Sequence, residues 1–390
     1  MMLGLELTKQ SPYSMCYFHG IIRNEEGKKI SKSMENIEEY DPLNIIEKYG
    51  ADPLRFTFIA NMVPGKDLNL GEGLLKASKN FCNKIWQATN YILGNLDKIE
   101  KISKFSPSYP KEKLKIGDRW ILSRLNKMVK DVNNYYEGYD YLNAARSIRS
   151  FFWNEFCDWY IEISKIRIYD ENELDKSTPL SLLLHVLEIS LRLLHPIIPF
   201  LTEALWQRLP EVVKEGPALI VAKWPEADES FIDDDLDQDF DLITTLIHEI
   251  RAVRKEFNVK AGLKIPLIIQ PGEKRDLIEK NASEIIALSQ IDSNHFKIDE
   301  TNVPQHSARI VLQNIVIYLP LEGIVNLKKE IERISKQIRI IEEQSQKSEK
   351  QLNGPFVQRA DPDIVQRERE KLEQLKERKK ILEEQLKILR

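Results

Sequence analysis

The sequence is short of three things, and each shortage narrows what the protein can be. Cysteine occurs three times in 390 residues, as Cys16, Cys82 and Cys157, widely separated and with no pair at metal-ligand spacing. That argues against a disulfide framework and a zinc ribbon and for a reducing compartment, with no bound metal. Long apolar runs are lacking. Met1 to Leu7 is too short for a secretory signal and carries Glu6, and no stretch approaches a membrane span. An excess of one charge is lacking too, since 57 basic residues face 61 acidic ones for a net of −4. Bulk charge therefore points to neither nucleic acid nor membrane, and any basic surface has to be local. The expectation is a cytoplasmic protein of two or three domains with ample length for a core.

What is present begins with Lys29-Ile30-Ser31-Lys32-Ser33, a loop that follows the apolar segment Tyr17 to Ile22. Ammonium groups act as mobile point charges on phosphate oxygens, and serines add donors without bulk. Such a loop suits a triphosphate and the charge that grows on a leaving pyrophosphate. The alternative is a solvated basic loop, as most lysine-rich pentapeptides are. Beyond it, Asp41-Pro42 and Asp52-Pro53 each pair an N-cap acid with proline at the first helical position, and Gly50 stands as the C-cap of a helix over 42–49. Pro64-Gly65-Lys66-Asp67 reads as a turn. The first 70 residues thus read as the tail of an α/β domain.

From Glu72 to about Phe257 the apolar spacing is helical and predicts a bundle. Ile121, Leu125, Met128, Val132 and Tyr135 form one stripe, and Leu180, Leu183, Leu187, Leu191 and Leu194 another, ended by Pro196 and Pro199. A third stripe, Ile148, Phe152, Phe156, Trp159, Ile163 and Ile166, places Phe152, Phe156 and Trp159 in the core. Trp153 and Tyr160 fall off it and are the exposed candidates for stacking on unpaired bases. Arg146 and Arg149 at i,i+3 spacing suit stem phosphates or surface ion pairs alike. His185 and His195 read as structural. Glu226 to Asp241 reads as a solvated connection and a helix start. Two β-branched runs, Leu263 to Gln270 and Ile310 to Leu319, flank a helical Ile278 to Leu288 and predict a small α/β module.

The last 67 residues change character again. Leu327, Ile331, Ile334, Ile338 and Ile341 fall on heptad seam positions, with Leu352 in register after two serines. Past Asn353-Gly354-Pro355 and Asp361-Pro362, a second seam runs through Val365, Leu372, Leu375, Leu382, Leu386 and Leu389, with Glu368 and Lys379 as its polar members. Two such series about a proline-bounded turn predict an antiparallel coiled-coil hairpin, each arm about 40 Å long at 1.5 Å per residue. Residues 326–390 hold 17 basic and 13 acidic side chains, a net of +4, which leaves 40 against 48, a net of −8, for the rest. A solvated helix surface accounts for that excess, and so does an RNA backbone lying along it.

The order of these features resembles class I aminoacyl-tRNA synthetases. Lys29-Ile30-Ser31-Lys32-Ser33 is similar to their K-M-S-K-S signature, with isoleucine in a slot that anchors the loop to apolar surface. Its flanks, Tyr17-Phe18-His19-Gly20 and Tyr49-Gly50-Ala51-Asp52-Pro53-Leu54-Arg55-Phe56, resemble the same family. So do Asp118 to Leu125, Phe156 to Glu162 and Leu194 to Phe200 of the anticodon-binding bundle. Without the cysteine-rich end common in isoleucyl enzymes, and with Leu319 to Gly323 leading into the hairpin and Phe356-Val357 at its tip, the chain resembles the valyl branch. No His-Ile-Gly-His-type signature occurs in it, so the resemblance is to a C-terminal portion, whether a fragment, a split half or a truncated frame.

The resemblance implies a mainly α chain. Residues 1–70 would be the tail of a Rossmann-type catalytic domain, 71–257 an anticodon-binding helix bundle, 258–322 a small α/β connector and 323–390 a coiled-coil tRNA-binding arm. It implies valine activation by ATP with Mg²⁺ and transfer to tRNA(Val), by a monomer that makes no membrane contact. Lys32, then Lys29, would hold the ATP phosphates in the transition state, with Ser31 and Ser33 positioning the loop and Lys28 adding charge. His19 is a candidate near the nucleotide or a structural strand-end residue. The alternatives are a tRNA-binding module without chemistry or an isoleucyl- or leucyl-type fragment.

Overall fold

In a computed structural model, which describes residues 2–31, 34, 37–100, 105, 109, 113–299, 304–305, 307–322, 324, 327–354 and 362–389, the chain divides into Met1–Asp237 and Gln238–Arg390. The first unit opens with a short helix, α1 (Met2–Thr8), all of whose side chains are exposed or half-exposed. A minimal parallel ladder follows, β1 (Ile22–Arg23) on β2 (Leu68–Asn69), with Ile22 opposite Leu68. Between the two strands lie α2 (Pro42–Tyr49) and α3 (Ala51–Asn61). Ile45, Tyr49, Leu54, Leu70 and Leu75 close a small core beneath the ladder.

Asp41 caps α2 as its sequence predicts, accepting from the Leu43 N–H at 2.8 Å with Pro42 in the first turn. Gly50 ends the helix at φ +103°, a backbone value that side-chain-bearing residues rarely adopt. Asp52 does not cap α3. The helix already begins at Ala51, and Asp52 sits in its first turn, buried and turned toward another element. The Asx-Pro pattern is the same at both sites; burial against a neighbouring helix makes the difference.

The bundle comprises α4 (Glu72–Leu93), α5 (Ile116–Glu137), α6 (Tyr141–Ser150), α7 (Ile161–Ile168), α8 (Ser177–Leu194) and α9 (Pro199–Trp206). The α5 stripe is buried at Ile121, Leu125, Met128 and Val132, and every leucine of the α8 stripe is buried. By length and composition α8 would in fact pass for a membrane span, contrary to the expectation that no segment comes near one. Its apolar surface instead lies inside the bundle, with 83% of the span buried.

Between α6 and α7 the backbone widens into a π-helical segment, Phe151–Tyr160, and the Ile161 N–H reaches back five residues to the Phe156 carbonyl. The wider turn moves the buried face. Phe152, Phe156 and Tyr160 follow one another at intervals of four, the first two rings 5.3 Å apart and the next two 6.5 Å. Tyr160 is therefore fully buried rather than an exposed stacking candidate, and Trp159, expected in the core, is only half-buried. A count at 3.6 residues per turn misplaces both.

Helix α10 (Asp234–Glu256) begins at the end of the first unit. Of the aspartates before and in its first turn, Asp234 and Asp235 are exposed as expected, and two others are not. Asp237 is buried and takes Lys127 at 2.6 Å, and Asp233 pairs with Arg119 at 3.2 Å. In the second unit a four-stranded sheet has the order β4-β3-β6-β5, with β3 (Ile265–Gln270), β4 (Ile291–Ile298), β5 (Ser307–Leu312) and β6 (Ile315–Pro320). The run Ile310 to Leu319 is thus two strands, folded back at Gln313 (φ +51°). Strand β4 has no counterpart among the expectations, because an edge strand reading Ile-Asp-Ser-Asn-His-Phe-Lys-Ile carries little apolar pattern. Its partner β3 runs parallel to it and is reached through α11 (Arg275–Lys280) and α12 (Ala282–Ser289).

Two long helices complete the unit, α13 (Leu327–Leu352) and α14 (Pro362–Leu389). Lys376 of α14 pairs with Glu349 of α13 at 2.7 Å, and Lys379 with Glu342 at 2.9 Å. The positions rise on one helix as they fall on the other, so the helices run antiparallel. Ile334, Ile341, Val365 and Leu382 are buried, together with the two seam serines, Ser345 and Ser348.

Candidate functional site

The lysine loop grows out of β1 and is held at its root by one carboxylate. Asp67 accepts from the Ile21 N–H at 2.9 Å and from Arg23 Nε at 2.5 Å. These bonds, the backbone one foremost, hold the Asp67 carboxyl below its ordinary range. Gly20 lets the strands approach: a Cβ there would stand 1.8 Å from the Lys66 carbonyl oxygen. His19 Nδ1 lies 2.9 Å from the carbonyl of the next residue, Gly20.

The chain then reverses over Asn24 to Lys28. The Asn24 side chain accepts from the Lys28 N–H at 2.7 Å, and its backbone N–H donates to the Lys28 carbonyl at 2.9 Å. Lys29 forms an antiparallel bridge back to Arg23. Glu25, at the tip, accepts from the Glu72 N–H at 2.7 Å and so caps α4, whose own N-cap, Gly71, has no side chain to do it. The loop is thus tied at three points by groups that the motif itself does not contain. Sequence reading missed Asp67 and Glu25, and only a search for the missing cap of α4 would have found the second.

Beyond the bridge, Ile30 turns into an apolar cleft of about 200 Å³ with Ile22, Ile45, Leu54, Phe58 and Leu70. The apolar slot of the motif thus lies on apolar surface. Lys29 stays exposed, and Lys28 pairs with Glu26 at 2.8 Å, which raises its pKa. The Ser31 carbonyl accepts from the Met34 N–H at 3.1 Å. Lys32 and Ser33 lie outside the described residues. Next to the loop a cleft of about 470 Å³ is lined by Glu25, Glu38, Glu39 and Glu72, with Lys48. The Tyr49 hydroxyl, Lys76 and Lys48 hold Glu72 down at about 2. A face so rich in carboxylates repels a polyphosphate.

The bundle motifs divide between packing and surface. Asp118 is buried and accepts from Tyr160 Oη at 2.8 Å and Arg167 Nη1 at 2.7 Å, while its Oδ2 also takes the Lys115 N–H at 3.1 Å. Arg124 forms a bidentate pair with Glu155 at 2.7 and 2.9 Å. Trp153 is half-buried under Lys84, whose ammonium stands 5.2 Å from the ring centre. Arg146 is exposed and uses Nε on the Ala60 carbonyl at 2.9 Å, and Arg149 is half-exposed. His185 packs on Phe105, with ring centres 5.0 Å apart, and His195 Nδ1 lies 2.8 Å from Thr202 Oγ1, so both are structural as read.

Leu194 to Phe200 is gripped by α3. Arg55 donates to the Ile197 carbonyl at 2.9 Å and the Pro196 carbonyl at 3.2 Å, and Asp52 Oδ2 accepts from the Leu201 N–H at 2.5 Å. Asp52 therefore caps α9, not its own helix. Burial raises its pKa despite those bonds. Two motifs more than 140 residues apart thus meet at one joint.

Residues 1–71 match the family described as tRNA synthetases class I (I, L, M and V), and residues 118–269 the anticodon-binding domain of tRNA ligase. Residues 326–390 match the valyl tRNA synthetase tRNA binding arm. The chain belongs to the valyl-tRNA synthetase family. It is similar to the valine–tRNA ligase of Thermotoga maritima, with 38% identity over 337 residues, which is 86% of this chain and 36% of that protein. The valine–tRNA ligase of Fervidobacterium nodosum is likewise 38% identical, over 85% of this chain and 36% of its own length. That of Clostridium tetani is 36% identical, over 85% and 37%. The chain thus spans about a third of the length of the curated relatives it matches. Among solved structures, a LeuRS–tRNA complex of Agrobacterium radiobacter K84 matches 55% of this chain and 24% of its own at 20% identity, with a TM-score of 0.43.

Proposed function

We propose that this chain supplies the pyrophosphate-side loop, the anticodon-binding bundle and the tRNA arm of a valine–tRNA ligase, which activates valine with ATP and passes it to tRNA(Val). One observation carries the reading. A phosphate-type loop, a helix bundle and a basic helix pair follow one another on a single chain, and each matches the corresponding synthetase family in that order. In this reading residues 1–70 are the tail of a Rossmann-type catalytic domain, 71–257 the bundle, 258–322 a connector and 323–390 a coiled-coil hairpin. The setting is cytoplasmic.

Lys32 contacts the β and γ phosphates of ATP as the bond to pyrophosphate breaks, and Lys29 assists from the exposed end of the bridge. Ser31 and Ser33 position the loop. Asp67 and Glu25 fix the turn that precedes the motif and Ile30 lies on apolar surface, which supports a loop presented to the nucleotide from Lys29 onward. The work is electrostatic: charges already in place meet charge that grows in the transition state. Mg²⁺ enters as a companion of ATP, on the phosphates. The tRNA runs along the bundle and the arm, where the net of +4 over 326–390 meets its backbone.

The direct test is binding of a tRNA(Val) transcript to the chain. Affinity should fall steeply with salt, and deletion of 326–390 should weaken it about tenfold at low salt, since several phosphate contacts go with the arm. Salt-independent binding, or binding indifferent to the deletion, would sink the arm's role.

A further inference from the structure

An aromatic cluster lies outside both the lysine loop and the motifs of the bundle core. Tyr141, the first residue of α6, lies at its centre, with ring centres 5.7 Å from Tyr17, 6.0 Å from Tyr136 and 6.4 Å from Tyr139. Tyr136 in turn meets Trp224 edge-on at 5.4 Å. Three chain segments contribute, and the cluster does not close over. Tyr17 is 43% exposed, Tyr139 40% and Trp224 39%. Beside it opens a cleft of about 320 Å³, formed by Arg55 and Phe58 of α3, Tyr136, Tyr141 and Ile197.

Two features set this apart from ordinary surface aromatics. The first is backbone strain. Tyr139 sits at φ +58°, held by the Tyr139 N–H on the Tyr136 carbonyl at 3.2 Å and the Asp140 N–H on the Tyr135 carbonyl at 2.7 Å. Left-handed backbone is an outlier for a bulky residue, and glycine would take it at no steric cost. The neighbour Gly138 has φ −81° and needs no such freedom. The turn thus keeps an aromatic ring where glycine would suit the backbone better, and strain of this kind clusters at functional positions.

The second is the distribution of polar groups. Trp224 Nε1 donates to Asn133 Oδ1 at 2.7 Å and Tyr136 Oη to the Leu193 carbonyl at 3.3 Å, so the inner rings are tied. Among the described residues the hydroxyls of Tyr17, Tyr139 and Tyr141 have no hydrogen-bond partner. Arg55, in the cleft wall, donates to two backbone carbonyls and lies in the field of Asp52, and Arg146 uses Nε on the last turn of α3; neither forms a salt bridge among the described residues. Open ring faces, unclaimed hydroxyls and two guanidinium groups fit a nucleobase with its phosphate.

We propose that the ring cluster and the cleft beside it form a stacking site for one unpaired nucleotide of the bound tRNA, with Tyr139 of the cluster as the exposed platform, Tyr141 shared by cluster and cleft, and Arg55 in the cleft wall and Arg146 on the same helix as Tyr141 as the cations for its phosphate. The inference rests on the reading of the chain as a tRNA binder, and the test separates the two. Affinity for a tRNA(Val) transcript is measured for wild type, Tyr139→Gly and Tyr139→Phe over a salt series, with thermal unfolding alongside. Tyr139→Gly should bind about 5- to 150-fold more weakly, the loss expected for one stacked base. Its unfolding midpoint should hold or rise, because glycine relieves the left-handed strain. Tyr139→Phe should bind close to wild type. The salt slope should be the same in all three, since stacking releases no counterions. If wild type binds and Tyr139→Gly binds within twofold of it, the stacking site is overturned and the parent reading stands. If wild type does not bind tRNA, both fall.

Discussion

Asp52 shows how tertiary structure reassigns a local signal. Its Asx-Pro pattern matches that of Asp41, yet Asp52 serves the first turn of α9. The sequence cannot reveal that assignment, because the acceptor and the donor are separated by most of the bundle. Its pKa direction gives a pH prediction. Burial raises the folded value above the ordinary 3.8, so the fold favours the protonated form. That contribution is present in full below 3.8 and is lost as pH rises through the folded value. Compared with Asp52→Asn, which does not titrate, wild type should gain ground as the pH falls from neutral into that window. Urea midpoints of the two proteins across the acid range would show it, and a constant difference would refute it. Asp52→Ala loses the cap at any pH and should cost about 1–2 kcal/mol.

At the scale of elements, helices were legible where the period held and illegible where it changed. The α5 and α8 stripes count off at 3.6 residues per turn and are buried as counted. Phe151–Tyr160 is wound more loosely, so the same count placed Tyr160 outside and Trp159 inside. Strand β4 escaped because its polar, edge-on sequence leaves no alternation to read. The winding has an energetic consequence, for it delivers the Tyr160 hydroxyl to Asp118 beside Arg167 in a buried site. Tyr160→Phe leaves one carboxylate oxygen of Asp118 without that donor and should cost about 1–3 kcal/mol in denaturant unfolding. Affinity for tRNA should not change, whereas a stacking role for Tyr160 would require that it fall.

For the whole molecule, the order of parts was more legible than any part. The loop motif could be read from five residues, and the bundle and helix pair from their periods. The fixtures that make the loop a device could not, because Asp67 and Glu25 act across the chain on groups far away in sequence. Charge shows the same division of labour: an acidic cleft lies beside the loop, while the basic excess lies in the last two helices.

The central claim is that this loop acts in valine activation, and valine-dependent ATP–pyrophosphate exchange tests it most directly. The enzyme to assay carries residues 1–390 in place of the matching C-terminal part of the Thermotoga maritima ligase, with and without Lys32→Ala. The account predicts exchange by the parent and a loss of about 10²–10³-fold in rate on substitution, about 3–4 kcal/mol of transition-state stabilisation, with the KM for valine nearly unchanged. An exchange rate unaltered by Lys32→Ala, in an enzyme that otherwise exchanges normally, would contradict it.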